Sequence, residues 1–219
     1  MVKTFLITRP NHDLITSYLY EFSKGIVKLA KESRDIHVTD LEGDKATRSN
    51  VEEFLNKENP GLIFLNGHGN REKVAGYKDE VVLDKKNIIL TKKKIVYALS
   101  CDSLEEIGKI AIEKGTKAYI GYKSRFMLVY DPFRVSTPNK DKNALPFKRA
   151  CNILITSLVF GVSVEKAIEK AKEEYNHLIK SYGTSEDDPY GDISLIRLAL
   201  TWNLEFLDMY GDANASFNE

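Results

Sequence analysis

Two rhythms of hydrophobic and polar positions alternate along this chain. Residues 3–8 (KTFLIT) form a short apolar run closed by Arg9, Pro10 and Asn11, the profile of a strand ending in a turn. Between residues 13 and 31, Leu14, Ile15, Tyr18, Leu19, Phe22, Ile26, Leu29 and Ala30 recur at steps of three and four, which predicts a helix. Residues 35–41 read as a second strand. Residues 49–56 (SNVEEFLN) read as a second helix, with Ser49 as its cap and Glu52 completing a capping box. After the turn Asn59-Pro60-Gly61 comes LIFL (62–65), a continuous apolar run of the kind found in strands covered on both faces. It ends in Asn66-Gly67-His68-Gly69.

Residues 70–94 are charged and irregular, and the pieces VVL (81–83) and IIL (88–90) are read as a small hairpin. IVYAL (95–99) is again continuously apolar and leads into Ser100-Cys101-Asp102-Ser103. A helix is expected from about residue 104 to 113, with Ser103 as its cap and Gly115 as its stop. KAYIG (117–121) is one more short strand. Residues 122–146 hold Pro132, Pro138, Pro146 and no regular period, so a long loop is expected, of the length often used for substrate gating or self-cleavage. Helices follow at 147–160, at 163–180 with Ser163 as cap, and from about 192. Residues 185–189 form an acidic loop, and residues 206–210 are read as a last edge strand. This βαβ alternation predicts an α/β fold with a mainly parallel sheet and helices on both faces, in which ligands sit beyond the carboxyl ends of the strands. His68 and Cys101 both fall there.

The bulk numbers narrow the function. A chain of 219 residues with 42% hydrophobic residues supplies its own core, so one domain over 1–219 is expected. Thirty-two basic residues balance 32 acidic ones, which gives no electrostatic footprint for nucleic acid or an anionic membrane. The apolar run at the amino terminus is too short for a signal-peptide core, and no later run reaches spanning length, so a cytoplasmic protein is expected. Cys101 and Cys151 are read as free thiols.

A thiol is mostly neutral near pH 7 and needs a base or an electropositive site to act as a nucleophile. If strands 62–65 and 95–99 lie side by side, His68 and Cys101 share one cleft. Gly69 allows close approach of its N–H to a substrate carbonyl, and Cys101, read as opening a turn into a helix, supplies a second N–H and the helix dipole. Cys151, among Ile153, Leu154 and Ile155, is read as core. His12, His37 and His177 lack zinc spacing, so neither metal nor cofactor is expected. The absence of G-x-G-x-x-G and G-x-x-x-x-G-K-[ST] argues against a phosphate-cradling enzyme.

NGHG after LIFL, SCD after IVYAL, AYIGY (118–122), the helical stretch 146–175 and LTWNLEFLDMYGD (200–212) together resemble the caspase-like cysteine peptidases, in particular the gingipain-like and CHAT-domain branches. The resemblance implies a three-layer caspase-like sandwich and a cysteine endopeptidase acting on a protein or peptide. It gives His68 the role of general base and acid, Cys101 that of nucleophile, and the Gly69 and Cys101 N–H groups that of oxyanion donors. The Q-A-C-x-G signature of caspases proper is missing around Cys101. No specificity pocket is matched. Asp102, Asp131, Asp187 and Asp188 are acidic candidates for a basic substrate side chain, each read first as a cap or a solvated loop charge. The alternative is a latent or non-catalytic caspase-like module that works through a regulatory protein partner.

Overall fold

The computed structural model describes residues 2–183 and 191–218, so the acidic loop at 185–189 lies outside the described residues. In chain order the elements are β1 (Lys3–Arg9), α1 (Leu14–Glu32), β2 (Ile36–Glu42), α2 (Arg48–Lys57), β3 (Leu62–Asn66), β4 (Gly69–Asn70), β5 (Lys73–Ala75), β6 (Val81–Asp84), β7 (Ile95–Leu99), α3 (Ile107–Glu113), β8 (Ala118–Tyr122), α4 (Leu145–Val159), α5 (Val164–Ser181), α6 (Ile193–Phe206) and β9 (Leu207–Gly211). Six strands form the central sheet in the order β2-β1-β3-β7-β8-β9. The first five are parallel, and β9 closes the edge antiparallel to β8.

Every residue of β3, β7 and β8 is buried, because helices or a second sheet cover both faces. Successive side chains point to opposite faces. Phe5, Ile7, Phe64, Tyr97, Ile120 and Tyr122 pack against α1, α4, α5 and α6. Their neighbours Leu6, Ile63, Leu65, Val96, Ala98 and Tyr119 pack against α2, α3 and the small antiparallel sheet β4-β5-β6. The result is the three-layer, mainly parallel sandwich expected from the alternation of strands and helices.

Local hydrogen bonds shift several boundaries from those expected. Thr47, not Ser49, caps α2 by accepting the Asn50 N–H. Ile88–Thr91 is a 3-10 turn, and the strand paired with β6 is Lys73–Ala75. Helix α3 begins at Ile107 rather than 104. The Ser103 hydroxyl donates to the Ala98 carbonyl, and the Leu104 N–H donates to the Tyr122 carbonyl, which binds 103–104 to the ends of β7 and β8 and delays the helix. Ser163 occupies the first position before α5 without a side-chain capping bond. Among the described residues, no helix is long and apolar enough to cross a membrane.

Candidate functional site

The register of β3 against β7 builds the site. Leu62 pairs with Ile95 and the ladder runs to Asn66 opposite Leu99, so His68 and Cys101 each stand two residues past paired strand ends. Gly67 carries the turn after β3 at φ +148, and a Cβ there would lie 2.1 Å from the Ala75 carbonyl oxygen. Only glycine fits. At Gly69 a Cβ would lie 2.8 Å from Ser100 Oγ and 2.9 Å from Ser100 Cβ. The residue after His68 is therefore seated directly on the residue before Cys101.

His68 is held from a direction that sequence reasoning missed. Its Nε2 lies 2.6 Å from Oδ2 of Asp13, the residue that caps α1. Asp13 Oδ1 accepts from the Thr16 N–H and the Thr16 hydroxyl, both at 2.8 Å, while the Thr16 hydroxyl oxygen accepts the Asp13 N–H at 3.0 Å. Burial pushes the Asp13 carboxyl up, but the bonds from Thr16 and His68 outweigh it and hold the group below its ordinary value of 3.8. A charged carboxylate thus fixes one ring nitrogen and leaves Nδ1 for other partners. The available signal was topological: Thr8 of β1 pairs with Leu65 of β3, which brings the loop after β1 beside His68.

Cys101 is partly exposed and free. Burial is the largest influence on its thiol and raises it above 9.0, assisted by the charge of Asp102 and opposed by the Phe126 N–H and Arg125. The helix dipole expected to favour a thiolate is absent, since α3 starts well beyond it. Residues 122–126 run alongside instead: Asp102, at φ 52, donates its N–H to the Ser124 carbonyl. Helix α6 secures this segment, with Trp202 Nε1 donating to the Arg125 carbonyl and Asn203 exchanging two hydrogen bonds with the Met127 backbone.

The other candidates separate cleanly. Cys151 is buried under the hydroxyls of Tyr122 and Tyr175, at 3.8 and 3.9 Å, and belongs to the core as expected. Asp131 accepts the Phe133 N–H and shapes a turn. Asp102 lies in the strained turn after Cys101, and Asp187 and Asp188 are outside the described residues. His37 and His177 lie elsewhere on the surface. His12, by contrast, stands beside the site: its ring meets that of His68 edge to face at 6.3 Å, and one ligand atom each from His12, Asp13 and Asp79 lie within 4.8 Å of one another.

No family model and no curated protein sequence matches the chain. Solved structures do. Over 97% of its length the chain superposes on gingipain RgpB of Porphyromonas gingivalis, solved as a complex of its pro- and mature domains, with a TM-score of 0.56 and 10% identity. Over 95% of its length it superposes on separase in the separase–securin complex of Saccharomyces cerevisiae, with a TM-score of 0.53 and 16% identity. It spans 47% of the first of those chains and 12% of the second. Both neighbours share the caspase-like fold, and that is the fold of this chain.

Proposed function

We propose that this chain is a cysteine endopeptidase of the gingipain-like or CHAT-like kind, with Cys101 as nucleophile, His68 as general base and acid, and Asp13 as the residue that orients His68. The observation that carries this reading is the in-register placement of His68 and Cys101 beyond adjacent central strands, with Gly69 against Ser100 and a carboxylate on the far nitrogen of the imidazole. The raised thiol favours a neutral Cys101 at rest. As the sulfur attacks the scissile carbonyl carbon, its proton passes to His68 Nδ1, and the Gly69 and Cys101 N–H groups receive the developing oxyanion. Collapse of the tetrahedral adduct breaks the C–N bond, and His68 gives its proton to the departing amine. Water, deprotonated by His68, then hydrolyses the thioester and regenerates the thiol. The substrate is a peptide or protein, and the reaction calls for no metal or cofactor.

A peptidyl chloromethyl ketone series tests this. Mass spectrometry is expected to place the label on Cys101, and Cys101→Ala and His68→Ala are expected to lower peptide turnover by roughly 10³-fold or more. Labelling of Cys151 in place of Cys101, or activity that survives Cys101→Ala, overturns the assignment. Turnover that appears only when a partner protein is added identifies the latent form of the same site.

A further inference from the structure

The loop after β1 and the turn before β6 meet over His12. The His12 side chain is only 10% exposed, yet both ring nitrogens are buried without a hydrogen-bond partner. A buried imidazole in that state is costly unless something else satisfies it. Its Nε2 lies 3.6 Å from Asp13 Oδ2 and 3.7 Å from Asp79 Oδ1, too far for hydrogen bonds. These are nevertheless the separations a shared cation imposes: donors at about 2.1 Å around a tetrahedral centre stand about 3.4 Å apart. One imidazole with two carboxylates suits zinc and its borderline neighbours, whereas magnesium and calcium prefer an all-oxygen shell. Tyr77 closes the outer side, its ring edge to face with His12 at 5.5 Å.

We infer that His12 Nε2, Asp13 Oδ2 and Asp79 Oδ1 bind one divalent cation of the zinc class, with a fourth position left to water. The cation and His68 compete for the same atom, because Asp13 Oδ2 is also the oxygen 2.6 Å from His68 Nε2. Resting on the peptidase reading above, the site is an inhibitory switch: the bound cation draws the carboxylate from His68, and turnover falls.

Cobalt(II), which reports tetrahedral coordination by visible absorption, is titrated into the full chain carrying Cys101→Ala, so that neither activity nor a thiolate ligand enters the measurement. One ion per chain is expected. His12→Phe, which keeps a ring against Tyr77, and Asp79→Asn, at an exposed position, are each expected to raise the dissociation constant roughly tenfold or more. Absence of binding, or an affinity in both variants unchanged from that of the parent, overturns the site, as does binding that requires Cys101. In the chain with Cys101 intact, zinc is expected to inhibit peptide turnover, and Asp79→Asn to raise the half-inhibitory concentration by a similar factor. Unaltered inhibition in Asp79→Asn overturns the switch. A chain that binds cobalt through His12 but never cleaves peptide retains the site and refutes the peptidase reading.

Discussion

Asp13 uses its two carboxylate oxygens for different tasks, one capping α1 and one holding His68. This division makes the two roles separable by a single substitution. Asparagine caps helices about as well as aspartate, so Asp13→Asn keeps the bond from the Thr16 N–H and leaves α1 intact. The amide carries no charge to stabilise a protonated imidazole and presents a donor as readily as an acceptor, which favours the wrong tautomer of His68. The expected result is a fall in kcat on the order of 10²-fold with KM little changed and a melting temperature close to that of the parent. Asp13→Glu is expected to recover part of the rate. A loss confined to KM, or a drop in melting temperature as large as a lost cap produces, contradicts the positioning role. Sequence alone brought out His68 and Cys101 because each closes a continuous apolar run. It did not bring out Asp13, whose partner is 55 positions away and whose local pattern announces only the start of a helix.

Helix α6 lies far from Cys101 in sequence but governs the backbone beside it. Asn203 is fully buried and holds the Met127 N–H and carbonyl, one residue past the N–H that faces the Cys101 sulfur. Asn203→Ala leaves both of those backbone groups without their side-chain partner, at a cost of about 1 to 3 kcal/mol. The freed segment at 125–127 is expected to exchange its amide hydrogens faster, and iodoacetamide to reach Cys101 more quickly, while peptide turnover declines. Unchanged exchange at 125–127 contradicts the clamp. The central strands were legible because β3 and β7 are covered on both faces, which makes their residues uniformly apolar. The short strand β5 and the start of α3 were not. Lys73-Val74-Ala75 is too brief to show a period, and 103–104 are held off the helix by bonds to β7 and β8 that no local pattern encodes. The same holds for the exchange between Asn203 and Met127, which read as an ordinary helical position and an ordinary loop position.

At the scale of the whole molecule, one buried cluster joins four elements. Tyr97 of β7, Tyr122 of β8, Cys151 of α4 and Tyr175 of α5 bring their polar atoms together beneath the sheet, with Tyr122 Oη 3.4 Å from Tyr97 Oη and 3.3 Å from Tyr175 Oη. Burial raises all three hydroxyls well above 10.0 and pushes the Cys151 thiol from 9.0 up to about 11. Each of these acids is favoured in its neutral form by folding. The stabilisation is therefore complete below the unfolded values near 9 and 10 and is lost as pH rises through the folded values. The urea midpoint is expected to be flat from neutrality to about pH 9 and then to fall, with Cys151 accounting for roughly 2 to 3 kcal/mol by pH 11 at about 1.4 kcal/mol per factor of ten. Tyrosinate absorbance from the cluster is expected to appear together with unfolding and not before it. Cys151→Ala separates packing from titration: the lost sulfur costs about 1 kcal/mol at neutral pH, while the decline between pH 9 and 11 becomes shallower. If that variant declines as steeply as the parent over this interval, the thiol is not the titrating group.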